Sequence, residues 1–215
     1  MPLSDHPRRW GSPPEVPPWQ EPGRRPAQDD GPPLAPWLEE KLFDRRIIVV
    51  QGPVTPSSAT RTAAALLTLD ALSATDPVEL HVRGADGDLD AVFAVIDALD
   101  VMHAPVHALA TAEVGGGAIG LYAVAKRRRA FPHARFRLAE PRVHSVAGTA
   151  DDVATAAGQH LRALEDLIVR IAGATGQPRS RVEDDLQSGR YLTAEEAKAY
   201  GLVHEIVAPG RTGSG

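Results

Sequence analysis

Residues Glu79–Gly120 read ELHVRGADGDLDAVFAVIDALDVMHAPVHALATAEVGGGAIG, and their rhythm decides the class of fold. Glu79–Arg83 (ELHVR) alternates polar and apolar side chains as a strand does, then enters the glycine loop Gly84-Ala85-Asp86-Gly87. Asp88–Val101 is apolar at helical spacing, and Pro105 stops it. Val106–Thr111 (VHALAT) is the next strand-like run and leads into Gly115, Gly116 and Gly117. The same order repeats outward. Upstream, Arg46–Gln51 (RIIVVQ) reads as a buried strand and Ser57–Leu72 as a helix; downstream, an alanine-rich helix reaches Ala125 and Ala134–Leu138 (ARFRL) makes a fourth strand. Repeated strand, helix, strand units require mostly parallel strands joined by right-handed crossovers, so the fold class is α/β.

The flanks differ in kind. Eleven of the 19 prolines lie between Pro2 and Pro36, with Trp10 and Trp19 among them. Proline lacks the amide donor and restrains its neighbour, so residues 1–36 are read as a disordered, polyproline-like tail; Trp10 or Trp19 would anchor any partner it binds. Residues 37–208 form one domain, and 209–215 a flexible C-terminus. Within the domain, 149–174 predicts one long amphipathic helix, opened by Thr149 with Asp152 and closed at Gly176. Its stripe of Val153, Leu161, Leu164, Leu167, Ile168 and Ile171 is more than one small domain covers, which suggests a partner subunit. Thr193 and Glu196 predict another capping box, Gly201 ends that helix, and Leu202–Val207 reads as a final strand.

Composition narrows the chemistry. The 215 residues carry a net charge of -5 and no cysteine. Disulfides, thiolate nucleophiles and cysteine-ligated metals are excluded, and the mild acidity argues against a nucleic-acid binder. The longest aliphatic run, Ile47–Val50, is far short of the roughly 20 residues a bilayer needs. No secretory h-region opens the chain, so the expected location is the cytoplasm.

Several motifs offer chemistry. Gly115, Gly117 and Gly120 satisfy a dinucleotide fingerprint, with Glu140 about 20 residues on; against it, the motif follows the third strand and a single short strand comes after Glu140. His103 and His107 have metal-ligand spacing, but Pro105 stands between them, so no metal site is expected. His144 and Ser145 are adjacent and would face opposite sides of a strand. The basic run Lys126–Arg129 reads as a solvated turn. The two glycine loops, each at the C-terminal end of a parallel strand, would bring backbone amides to one crevice in the manner of an oxyanion hole.

Strand RIIVVQGPV, the loop LHVRGADGDL, the turn VGGGAIG, the segment RRAFPHARFRLAEP and the ending GATGQPRSRVEDDLQSGRYLTAEEAKAYGLVHEIV together resemble the proteolytic subunit of the ATP-dependent Clp protease, the ClpP family of serine endopeptidases. The likeness spans about residues 37–208, and part of its C-terminal block also occurs in the crotonase group, which shares the fold. It implies a ClpP/crotonase-like α/β fold with repeated ββα and βαβ units and a long C-terminal handle helix. It also implies homo- or hetero-oligomeric rings of ClpP-type subunits, two rings of seven joined through that helix, and a Clp ATPase partner met near the N-terminal segment. No cofactor is implied.

The family's Ser-His-Asp triad does not carry over. Its serine falls on Gly115, with Val114 or Gly116 as alternatives, and no serine stands anywhere from 107 to 144. Its histidine falls on Ala139, with His133 and His144 several residues off, and its aspartate on Gly189, with Asp184 and Asp185 a helical turn earlier. Of the oxyanion hole, the amides of Gly87 and Gly116 remain, and Asp86 would repel a developing oxyanion beside the first. The expectation is a catalytically inactive pseudoprotease with a structural or regulatory role in a ring. The alternative is a crotonase-like acyl-thioester enzyme, using those amides with Glu113 or Glu140 as acid or base.

Overall fold

A computed structural model describes residues 34–84, 86–141 and 148–208. The proline-rich tail up to residue 33, including Trp10 and Trp19, the pair His144-Ser145 and the C-terminal 209–215 lie outside the described residues.

Helix α1 (Pro36–Asp44) leads into strand β1 (Ile47–Gln51); α2 (Pro56–Leu72), β2 (Val78–Gly84), α3 (Leu89–Val101) and β3 (Val106–Gly115) follow in alternation. Then come α4 (Ala118–Val124), β4 (Arg127–Ala130), β5 (Arg135–Leu138), α5 (Ala150–Thr175), α6 (Arg179–Ser188), β6 (Arg190–Thr193), α7 (Ala194–Tyr200) and β7 (Glu205–Ile206). The sheet is parallel through β1-β2-β3-β4-β7, as the βαβ rhythm requires. Helix starts follow their caps: Thr55 with Ser58 for α2, Asp88 accepting from the amides of Asp90 and Ala91 for α3, Thr149 with Asp152 for α5, and Thr193 with Glu196 for α7.

One sheet face is the core. Val78, Leu80 and Val82 of β2 alternate inward and pack with Leu66 and Leu69 of α2, Val92, Val95 and Ile96 of α3, and Ile119 and Tyr122 of α4. The intervening Glu79, His81 and Arg83 point to the other face, where Arg129 donates to both carboxylate oxygens of Glu79.

Strand β3 is longer than its sequence reading, and the extra residues fork the sheet. His107–Ala110 pairs with β4, while Glu113–Gly115 pairs in parallel with β5, which in turn takes β6 antiparallel. Two expectations are corrected here. The basic run Lys126–Arg129 is not a solvated turn: Arg127–Ala130 is strand β4, and Arg128 is buried. Two strands rather than one follow Glu140, namely β6 and β7. Among the described residues no helix is long and apolar enough to cross a membrane.

Candidate functional site

The fork in the sheet brings distant positions together. Glu113, Val114 and Gly115 stand opposite Arg135, Phe136 and Arg137, and Arg135, Phe136, Arg137 and Leu138 stand opposite Thr193, Leu192, Tyr191 and Arg190. Gly115, Arg137 and Tyr191 therefore form one row across β3, β5 and β6. Ala139 directly follows β5, and Gly189, the left-handed C-cap of α6 with φ 68°, directly precedes β6, so the two flank the last ladder pair, Leu138 opposite Arg190. At a strand spacing of about 4.8 Å and a rise of about 3.3 Å per residue, Gly115 is one strand and two residues from Ala139, about 8 Å. None of the three has a side chain able to attack a carbonyl or carry a proton.

Among the described residues no adjacent group substitutes for them. Asp185 is buried and accepts from Arg190 Nη1 at 2.9 Å, with Arg181 Nε 3.9 Å away. Asp184 is exposed on α6, and His133 is exposed in the turn between β4 and β5.

The two glycine loops do meet. A Cβ added to Gly117 would lie 3.2 Å from the carbonyl oxygen of Gly87 and 2.8 Å from Val92 Cγ2, so only glycine lets the second loop close on the first. Yet both amides singled out as the oxyanion remnant have internal acceptors. Gly87 N–H donates to the Asp86 carboxylate at 2.9 Å, and Gly116 N–H donates to the Arg137 carbonyl at 3.3 Å. Gly116 sits at φ 49°, a left-handed conformation that suits glycine and turns its amide toward β5. A donor committed to an internal acceptor is not aimed at a developing oxyanion.

The other candidates separate. Glu113 lies in register with Arg135, whereas Glu140 is five residues further along the chain of β5, about 16 Å at strand rise, with its amide donating to the Leu186 carbonyl. They do not share a crevice as an acid and base would. The glycine fingerprint is a packing device: a Cβ at Gly120 would meet Leu167 Cδ1 at 2.4 Å, and α4 behind it is only seven residues long. His103 lies beside Asp70, whose carboxylate takes the amides of His103 and Ala104, while His107 lies on β3 with Nδ1 3.9 Å from Glu79. No cluster of three or more His, Asp or Glu able to hold a metal occurs among the described residues.

Sequence reasoning passed over Arg137 and Tyr191, the two side chains that stand in the row with Gly115. The signal was present in ARFRLA, where alternation sets Arg135, Arg137 and Ala139 on one face and Phe136 and Leu138 in the core.

Comparison with known proteins is consistent along the chain. A family model described as Clp protease matches residues 37–210. The chain is 31% identical over 173 residues to ATP-dependent Clp protease proteolytic subunit 1 of Chlamydia caviae, covering 79% of this chain and 91% of that protein. It is 32% identical over 193 residues to the subunit of the same name from Frankia casuarinae, covering 87% and 88%.

Proposed function

This chain belongs to the Clp protease family, and from that membership we propose that it is a non-catalytic subunit, one that keeps the family's fold and assembles with ClpP-type subunits without cutting peptides itself. The observation that carries this reading is what stands at the fork: where the resemblance sets serine, histidine and aspartate, the end of β3, the residue after β5 and the residue before β6 are Gly115, Ala139 and Gly189. The engaged amides of Gly87 and Gly116 support it independently, because restoring one missing group would not restore the others.

Its role is then structural or regulatory, in a ring with active subunits or beside a Clp ATPase, in the cytoplasm. Hydrolysis of a fluorogenic peptide by the purified chain is the direct test. The expected result is a rate equal to buffer; hydrolysis abolished by a serine-directed inhibitor would overturn the reading. Mass measurement of the complex purified from its native cells is expected to find a ClpP-type protease subunit bound to it.

A further inference from the structure

Strand β1 ends the sheet and pairs with β2 on one side only. The Arg46 carbonyl accepts from the Glu79 amide and the Gly52 amide donates to the Arg83 carbonyl, so the even-numbered residues turn their backbone groups toward β2. Alternate residues of a parallel strand face opposite ways, which leaves the N–H and C=O groups of Ile47, Val49 and Gln51 on the outer edge. Among the described residues none of these groups has a hydrogen-bond partner. A groove of about 700 Å³ runs along this edge, lined by every residue of β1, by Glu39, Glu40 and Phe43 of α1, and by Arg61 and Ala65 of α2.

A row of unpaired strand groups is a template for one more strand, and proteins seldom leave such an edge open. Where the chain arrives indicates the occupant. Leu34 also lines the groove, so the proline-rich residues 1–33 join the fold at this site. Proline cannot donate to a ladder, which limits a paired strand to stretches without it. Residues 1–33 hold two proline-free stretches as long as the five residues of β1, Arg8–Ser12 (RRWGS) and Ala27–Gly31 (AQDDG). The second would set Asp29 and Asp30 against Glu39 and Glu40. The first brings Arg8 and Arg9 to those carboxylates and Trp10 to the apolar wall at Phe43 and Ala65. We propose that Arg8–Ser12 adds as an extra strand along the free edge of β1 in the same chain, so that the proline-rich segment is a strap that closes this edge to other strands. Residues 13–33 can span up to about 70 Å, several times the roughly 16 Å length of β1, so the return is unstrained. The strap does not depend on what stands at the fork.

Residue-resolved hydrogen exchange of the full chain tests it. In the native chain the amides of Ile47, Val49 and Gln51 are expected to exchange slowly, as do those of Ile48 and Val50, which face β2. Trp10→Pro removes a donor and the aromatic anchor together. It is expected to speed the outward amides by at least about tenfold while leaving Ile48 and Val50 unchanged, a pattern that loss of the whole strand would not give. Gln28→Pro, in the other proline-free stretch, is expected to change neither set. Glu39→Lys with Glu40→Lys, both exposed on α1, is expected to speed the outward amides by about three- to tenfold. Adding Arg8→Glu and Arg9→Glu to that variant is expected to restore most of the protection, which separates a charge contact from damage to α1. Fast exchange of the outward amides in the native chain, or equal rates at Val49 in the native and Trp10→Pro chains, overturns the proposal. Protection that disappears on dilution overturns it too, because a second copy would then supply the covering strand, and so does a charge exchange without rescue.

Discussion

At the residue scale, Asp86 adds a second obstacle to acyl transfer beside the residue identities at Gly115, Ala139 and Gly189. Its carboxylate accepts from the Gly87 amide next to it, the donor that an acyl-transfer site would aim at a tetrahedral intermediate. The preceding Gly84 is packed so closely that an added Cβ would lie 2.3 Å from the Gly52 carbonyl oxygen. Rebuilding the triad as Gly115→Ser, Ala139→His and Gly189→Asp is therefore expected to leave peptidase activity at background. Adding Asp86→Gly to the triple variant frees one oxyanion donor, and the rate on a fluorogenic peptide is expected to rise by about 10²-fold. A triple variant as active as the quadruple one would show that the Asp86 contact is irrelevant. The expectation of a missing triad needs only residue identities at counted spacings. The capture of the Gly87 amide was only half legible: Asp86 was visible as a negative charge, but not as a hydrogen-bond acceptor one residue away, since that depends on loop geometry.

At the element scale, Arg128 holds together what the helices leave unfinished. Its guanidinium donates to the carbonyls of Ala123, Ala125, Ala174, Gly201 and Leu202, which end or follow α4, α5 and α7. Three helix C-termini thus direct their partial negative charge at one buried cation, which satisfies carbonyls that helix ends always orphan. Arg128→Met would strand several buried acceptors, a loss on the order of 3–5 kcal/mol, and the thermal midpoint is expected to drop by about 6–20 °C. A shift of under 2 °C, roughly 1 kcal/mol or less, would refute this role. His204 lies against the same group, with Arg128 N 3.1 Å from its Nδ1 and Arg128 Nη2 2.8 Å from its Nε2. Partial burial and the charges of Arg128 and Arg127 hold its pKa below the usual histidine range. The folded chain then binds fewer protons than the unfolded one, so this contribution to stability is complete above the ordinary histidine pKa of about 6.5 and is lost as pH falls below it. His81, also lowered by burial, acts in the same direction. Melting curves between pH 7 and pH 5 are expected to fall less steeply for His204→Asn than for the native chain; parallel curves would remove His204 as the cause. Strand β4 could not be read from Arg127–Ala130 because a run of arginines looks solvated, and the carbonyls that accept Arg128 come from residues up to 74 positions away. The capped helices were legible for the opposite reason: Thr149 with Asp152 and Thr193 with Glu196 bond within a single turn.

At the scale of the whole molecule, the first half of α5 has no buried side chain among the described residues. The helix runs for 26 residues, yet its buried side chains are Leu164, Leu167, Ile168 and Ile171, all in its second half. The stretch before Leu164 therefore extends about 20 Å beyond the contacts that anchor the helix. Val153 is 45% and Leu161 64% exposed there, on the stripe whose later members are buried. A helix segment of that length with no buried side chain among the described residues is marginal in water even with the capping box at Thr149 and the left-handed Gly176 at its end. The apolar period in the sequence already announced a stripe too long for the domain, but where packing stops depends on where Gly120 lets α4 approach Leu167, which periodicity does not carry. If a second subunit covers the projecting half, as the family resemblance implies, Leu161→Glu is expected to shift the complex toward single chains by native mass measurement. Because Leu161 is exposed in the isolated fold, the same change is expected to alter the stability of the dissociated chain by no more than about 0.5 kcal/mol. An unchanged assembly would place the subunit contact elsewhere, whereas a large loss of stability in the single chain would mean that α5 packs on its own domain after all.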